Sequence, residues 1–527
     1  MKLIPTIALL CVAFVASVVV ADDEKPNFVV IFTDDQGYQD VGCFGSPDIR
    51  TPRLDAMAAE GMKFTSFYAQ SICGPSRAAL MTGCYPMRVA ERGHTKQVHP
   101  ILHSDEITVA EVLKDQGYAT ACFGKWDLAK HTQKNFFIDL FPNRQGFDYF
   151  YGTPTSNDSI ANLYRNEELI EPKSDMSTLT RRYTDEAIGF MEKHIDEPFF
   201  VYIPHTMPHT KLDASPQFKG KSKRGLYGDV IEEIDFNVGR ILDAIRKNGI
   251  EKKTYVLFTS DNGPWLIKNK NLADGHLKSD HGGSAGPLRS GKVSSFEGGL
   301  RVPTILWGPD RVPAGATCDK IASTLDVLPT LAALSGAKVP DDRVIDGENI
   351  THLFHGEFDK ANADKAFFYY LRVHLQAVRQ GQWKLHLPRK KEPVGAAPFA
   401  RNAHIAPAVE LALRNRSSSI WTETSVKQRT FRTSIPMSSI VYWLSPKPCA
   451  RTSAITIESE RTCDSLTQCN RVPLSHLFQP QRNQKPKSRP NDETRRAALV
   501  SLSSTMPQRR FAWSERPTHT IVKRSHY

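Results

Sequence analysis

Apolar and polar positions alternate along the first 390 residues in two rhythms. Phe28 to Thr33 (FVVIFT) is a continuous apolar run, which predicts a strand buried on both faces of a parallel sheet. Tyr118 to Phe123, Phe199 to Ile203, Tyr255 to Thr259 and Val302 to Trp307 read as further strands. Between them lie helical stretches. Pro52 to Gly61 closes on glycine, and Pro75 to Thr82 carries proline in its first turn. Thr108 to Gln116 and Leu325 to Leu334 are two more. Tyr227 to Lys247 places Val230, Ile231, Ile234, Val238, Ile241, Leu242 and Ile245 on one stripe, with Gly249 beyond its end. This order predicts an α/β fold: a mostly parallel central sheet with helices on both faces. From Phe367 to Leu387 the runs FFYYLRV, LQAVRQ and WKLHL predict a small antiparallel C-terminal sheet.

The rhythm stops near Ala408. Residues 401–527 contain no glycine, where about 9 are expected at ordinary usage. They hold 21 Lys and Arg against 8 Asp and Glu, so they carry all of the net charge of +11. The body is close to neutral, which argues against nucleic-acid binding. The tail reads either as a disordered basic segment or as an out-of-frame product. The expected organisation is a signal peptide over 1–21, a main α/β domain over 22–360, a partial antiparallel-sheet domain over 361–408 and the atypical tail over 409–527.

Met1-Lys2, the apolar run Ile7 to Val20 and Ala21 before Asp22-Asp23 have the form of a secretory leader. The run is shorter than the ~20 residues a membrane span needs, so no stable span is expected after cleavage. The expected location is secreted or periplasmic. The cysteines show no paired metal spacing, so zinc is not indicated.

Two acidic pairs sit where strands end. Asp34-Asp35 follows Phe28–Thr33, and Asp261-Asn262 follows the strand Tyr255 to Thr259. Ligand sites of open α/β sheets lie at the carboxyl ends of strands, and four oxygen-bearing side chains suit Ca²⁺ or Mg²⁺. Either pair alone also suits a turn or a helix cap. The segment Cys73-Gly74-Pro75-Ser76-Arg77-Ala78-Ala79-Leu80-Met81-Thr82-Gly83 puts a cysteine at a helix N-terminus, where the dipole favours an anion or a thiolate. Arg77 follows one turn later.

This C-x-P-S-R-x-x-L-x-T-G segment resembles that of the type I sulfatases, in the alkaline-phosphatase-like superfamily. The resemblance spans roughly residues 25–390. It implies that Cys73 is converted to formylglycine by a sulfatase-maturing enzyme and that the hydrated aldehyde is the nucleophile. It places Asp34, Asp35, Asp261 and Asn262, with residue 73, around a divalent cation, usually calcium. Arg77 falls where the family holds the nucleophile and the metal-bound oxygens. Gly124-Lys125-Trp126 resembles the segment whose lysine contacts sulfate. Gly152 to Asp158 resembles the loop whose serine, here Ser156, touches the formylglycine. His205 to His209 resembles the segment whose last histidine, here His209, meets the ester oxygen. Ser290-Gly291-Lys292 with Phe296-Glu297-Gly298-Gly299 places Lys292 as a second sulfate-binding lysine.

One position departs from the pattern: the family reads GKWH, and this chain reads Gly124-Lys125-Trp126-Asp127. Asp127 is expected either to act as the base that releases sulfate or to tune substrate choice. His131, four residues on, is a second candidate to reach the site. The expected function is therefore hydrolysis of a sulfate monoester, from a sulfated small molecule or a sulfated glycan. The alternatives are a phosphomonoester or phosphonate hydrolase of the same superfamily, or a non-catalytic sulfated-glycan binder.

Overall fold

The computed structural model describes residues 25–89, 101–131, 136–158, 160–266, 281–371 and 374–387. The predicted leader and the predicted tail lie outside the described residues.

Fifteen strands follow in chain order: β1 (Asn27–Thr33), β2 (Met62–Phe64), β3 (Phe67–Tyr68), β4 (Ala119–Lys125), β5 (Tyr149–Thr153), β6 (Leu163–Arg165), β7 (Glu168–Glu171), β8 (Phe199–Pro204), β9 (Thr254–Ser260), β10 (Thr304–Trp307), β11 (Ala316–Cys318), β12 (Ala322–Ser323), β13 (Ala366–Leu371), β14 (His374–Gln380) and β15 (Trp383–His386). Ten of them form one sheet in the order β11-β2-β10-β9-β1-β8-β4-β5-β6-β7. Its centre, β9-β1-β8-β4-β5, is parallel throughout. β10, β6 and β7 run antiparallel to the neighbours they join at its flanks. The predicted mostly parallel sheet is the observed one, and its antiparallel flanking strands were not predicted.

Side chains of β1 alternate between two cores. Val29 and Ile31 pack on one face with the helices Pro52–Glu60, Met176–Lys193 and Gly225–Lys247. Phe28, Val30 and Phe32 pack on the other with the helices Cys73–Thr82, Val109–Lys114 and Val327–Ser335. Burial on both faces is why β1 shows no polar alternation.

Element ends differ from expectation by a few residues. The helix carrying Arg77 begins at Cys73, two residues before the expected Pro75, since proline is tolerated anywhere in a first turn. Thr108 caps Val109–Lys114 in a reciprocal capping box with Glu111. The 18-residue helix Met176–Lys193 was not among the predicted elements, though Leu179, Tyr183, Ala187 and Phe190 form its buried stripe. The antiparallel trio β13-β14-β15 stands apart from the large sheet, as predicted. Phe367, Tyr369 and Ala377 of the trio pack against Tyr68, Ala79, Tyr85 and Leu300 of the body.

Candidate active site

Five chain segments meet at the carboxyl end of the parallel strands. β1 ends into Asp34-Asp35, β9 into Asp261-Asn262, β4 into Lys125 and Asp127, and β8 leads toward His209. Cys73 opens its helix from the other side. All of these residues are buried. Four non-glycine residues in or beside this region adopt left-handed backbone: Asp35 (φ 67°), Asp127 (φ 55°), Ser290 (φ 67°) and Val293 (φ 63°). Such conformations cost energy and cluster where side chains must be aimed.

The Cys73 thiol donates to Asp34 Oδ1 at 3.3 Å. Lys292 Nζ reaches Cys73 Sγ at 2.9 Å and Asp35 Oδ1 at 2.7 Å. Lys125 Nζ donates to Asp34 Oδ2 at 2.6 Å. Arg77 donates to the Lys125 carbonyl at 2.7 Å, to Asp261 Oδ2 at 2.9 Å, and stands 3.3 Å from Asp34 Oδ2. Asn262 Nδ2 donates to Asp35 Oδ1 at 2.6 Å, and the Asp35 N–H donates to Asp261 Oδ1 at 3.0 Å. Thus Cys73, Arg77, Lys125, Lys292 and all four acidic-pair residues are brought together in one cluster. Arg77 braces the carboxylates rather than touching the thiol.

Electrostatics within the cluster are strongly polarised. Burial works against the Asp34 carboxylate, but Lys125, His209, Arg77 and Lys292 outweigh it and hold its pKa well below the usual range. Asp261 is pushed upward by burial and by Asp34, despite Arg77. Burial and Asp34 push the Cys73 thiol well up, and Lys292 and Lys125 do not reverse this. The thiolate expected from the helix N-terminus is therefore not favoured: dehydration and a carboxylate outweigh the dipole. Burial and Lys292 lower the pKa of His209.

The donor set fits a hard divalent cation. Asp35 Oδ2 and Asn262 Oδ1 are buried oxygens without a hydrogen-bond partner. Donor atoms of Asp34, Asp35, Cys73 and His209 all lie within 4.8 Å of one another. His209, which the resemblance assigns to the ester oxygen, thus also belongs to this donor cluster, with Nε2 3.7 Å from Asp35 Oδ2.

A second layer of contacts surrounds the cluster. The Ser156 hydroxyl donates to Asp158 Oδ1 at 2.6 Å. Asp127 Oδ2 is 4.0 Å from Lys125 Nζ, and Asp127 Oδ1 is 3.1 Å from His131 Nδ1. His131 does reach the site, through Asp127. Asp158 and Trp265 were not singled out by sequence reasoning. Asp158 lies two residues beyond Ser156 in the same quoted segment, which was a usable signal. Trp265 sits beside the site, its ring 6.4 Å from that of His209 and 5.3 Å from Lys292 Nζ; no sequence pattern marked it.

A family model described as Sulfatase matches residues 26–337. The N-acetylgalactosamine-6-sulfatase of Mus musculus is 39% identical over 394 residues, covering 69% of this chain and 72% of the mouse protein. The steryl-sulfatase of Homo sapiens is 32% identical over 435 residues, covering 67% of this chain and 74% of the human one. A solved structure from work on the metabolism of multiple glycosaminoglycans by Bacteroides thetaiotaomicron aligns with a TM-score of 0.62 at 26% identity, over 70% of this chain and 89% of that one.

Proposed function

The chain belongs to the sulfatase family and is a sulfuric ester hydrolase; from that premise we propose that it cleaves a carbohydrate or aryl sulfate monoester with formylglycine, formed from Cys73, as nucleophile. The observation that carries this reading is the place of Cys73: buried, on the first turn of its helix, in contact with Lys292 and Asp34. Its surroundings disfavour a thiolate, which leaves an unmodified cysteine a poor nucleophile there. The modified residue supplies a hydrated aldehyde. One hydroxyl attacks sulfur, and the second, once deprotonated, re-forms the carbonyl and expels sulfate.

The chain's own residues divide the remaining work. Lys125 and Lys292 face the anionic sulfuryl oxygens and offset their charge, the contribution that usually dominates such transfers. Arg77 holds Asp34 and Asp261 in place. His209 protonates the departing alcohol, Ser156 lines the substrate side, and Asp127 takes the proton of the second hydroxyl. Asp34, Asp35, Asp261, Asn262 and residue 73 would hold Ca²⁺ or Mg²⁺, which supplies Lewis-acid neutralisation of the sulfuryl group.

The mouse relative's name points toward a sulfated amino sugar and the human one toward a steryl sulfate, so the substrate panel should contain both classes. The proposed cellular setting is export, secreted or periplasmic, after action of a sulfatase-maturing enzyme. The deciding experiment is release of inorganic sulfate from aryl sulfates and sulfated glycans by protein produced with that enzyme. No release from any of them, or faster cleavage of aryl phosphate than of aryl sulfate, would overturn the reading.

A further inference from the structure

Asp127 is a carboxylate in a place where its charge should be costly. It is fully buried, follows Lys125-Trp126 and sits in left-handed backbone, which Asp tolerates better than most residues. Its Oδ2 has no hydrogen-bond partner and lies 4.0 Å from Lys125 Nζ, the group that faces the bound sulfate in the reading above. A second anion brought beside it would be repelled unless a positive charge compensates.

His131 stands where such compensation is needed. Its Nδ1 is 3.1 Å from Asp127 Oδ1, and its Nε2 is 3.1 Å from Asp158 Oδ2. With a carboxylate at each end, the ring cannot rotate without breaking a contact. The Ser156 N–H donates to the His131 carbonyl at 3.1 Å, which ties the two loops together. Asp158 continues the chain of contacts. Its Oδ1 accepts the Ser156 hydroxyl and lies 3.6 Å from His209 Nε2.

We propose that His131 is a positioning residue for Asp127: the imidazole fixes the carboxylate, leaves its second oxygen facing the sulfate-binding lysine, and balances its charge, while Asp158 holds the imidazole from behind. The proposal rests on the reading that Asp127 accepts a proton during sulfate release. In that step the O–H bond of the second hydroxyl breaks and a new O–H bond forms on Asp127 Oδ2. The electron pair left on oxygen re-forms the carbonyl and expels sulfate. His131 keeps its protons throughout. Burial disfavours its charge, yet Asp127 and Asp158 raise its pKa to about 10, in keeping with a cation between two carboxylates.

The test is a double-mutant cycle on 4-nitrophenyl sulfate, with conversion of residue 73 verified by mass spectrometry in every variant. His131→Gln should lower kcat at least about tenfold and KM in proportion, leaving kcat/KM changed less than about twofold, as expected when only the step after ester cleavage loses its aligned base. In an Asp127→Asn background the same change should alter kcat less than about twofold, because the charge it served is gone. Equal fold-losses in both backgrounds overturn the proposal, since a merely structural histidine would give that result. If His131→Gln does not fold, Asp158→Asn at the half-exposed outer carboxylate takes its place; its loss should also shrink in the Asp127→Asn background, and an unshrunken loss overturns the proposal. A wild-type protein that releases no sulfate from 4-nitrophenyl sulfate or from any of the sulfated glycans defeats the sulfatase reading itself. Full turnover in Asp127→Asn defeats the base role and this proposal with it, leaving the sulfatase reading intact.

Discussion

Lys292 Nζ lies 2.9 Å from Cys73 Sγ, across 219 residues of chain. The contact is set by backbone as much as by charge. The Lys292 N–H donates to the Pro264 carbonyl and the Val293 N–H to the Ser71 carbonyl, each at 2.9 Å. The lysine is thus pinned between the segment that follows Asp261-Asn262 and the segment that precedes Cys73. Lys292→Ala should lower kcat/KM by roughly 10²–10³, the usual cost of removing one preorganised donor to developing charge. Lys292→Arg should not restore it, because a planar fork does not replace a point charge in a closed site. Both are measured as sulfate release per converted residue 73. A fall of less than about fivefold in Lys292→Ala would mean that Lys292 does not face the sulfuryl group.

Metal removal should abolish turnover. Chelation followed by gel filtration should yield protein that regains activity with added Ca²⁺ or Mg²⁺. Asp35→Ala removes a carboxylate whose Oδ2 is buried without a hydrogen-bond partner, so it should lose bound metal and activity together. Elemental analysis decides. A stoichiometric ion retained by an active Asp35→Ala protein would place the metal elsewhere.

The charge state of His131 has a measurable pH signature. Its pKa is raised to about 10, burial being outweighed by Asp127 and then Asp158. A raised histidine stabilises the fold fully below its unfolded value near 6.5 and loses that contribution as pH rises through the folded value. The difference in melting temperature between wild type and His131→Gln should therefore shrink steadily between about pH 6.5 and 10. Ring ¹⁵N shifts should show both nitrogens protonated at pH 8. A neutral ring at that pH would contradict the bridging cation.

Much of this arrangement is legible in the sequence, for physical reasons. A strand buried on both faces has to be apolar throughout, so β1 and β9 announced themselves, and Asp34-Asp35 and Asp261-Asn262 just beyond them lie together at the carboxyl end of the sheet. The segment from Cys73 to Gly83 combined a cysteine, a helix start and an arginine in one short stretch. Contacts between distant loops were not legible. The distance from Asp158 to His209 depends on where two loops fold over the sheet, and no local pattern encodes it. The expected thiolate shows the same limit, because its pKa is raised by burial in the folded site and by Asp34, 39 residues away. Glu297 was read only as part of a quoted segment, yet it is where the small sheet is fastened.

Each strand of the small sheet sends one side chain to Glu297. Tyr369 of β13 donates at 2.7 Å, Arg379 of β14 at 3.3 Å and Lys384 of β15 at 2.7 Å, and Tyr68 of the body donates at 2.7 Å. The carboxylate and Lys384 are both buried. Glu297→Ala should destabilise by roughly 3–5 kcal/mol, because it strands buried positive charge. Denaturant unfolding measures the loss, and proteolysis at 361–387 should accelerate with it. Glu297→Gln should cost less. A loss below about 1 kcal/mol in the alanine variant would mean that the small sheet is held by its aromatic contacts alone.

The last prediction concerns the two glycines beneath Lys125. Gly124 in β4 pairs with Gly152 in β5. A Cβ added at Gly124 would lie 1.9 Å from the Pro204 carbonyl oxygen, and one added at Gly152 would lie 1.9 Å from the Gly124 oxygen. Gly124 also holds φ at 142°, which a side chain resists. The obstructing atoms are backbone, so relief requires three strands to part. Gly124 immediately precedes Lys125, whose ammonium must stay within reach of Asp34 and whose carbonyl anchors Arg77. Gly124→Ala should therefore destabilise by about 1–3 kcal/mol and also lower kcat/KM, since a shift of ~1 Å in a positioned group costs about a hundredfold. Gly189→Ala is the matched control. It lies in the helix Met176–Lys193 with nothing within 4 Å of the added carbon, and should raise stability by up to ~1 kcal/mol without touching activity. Wild-type turnover in Gly124→Ala would show that Lys125 is not held by the strand beneath it.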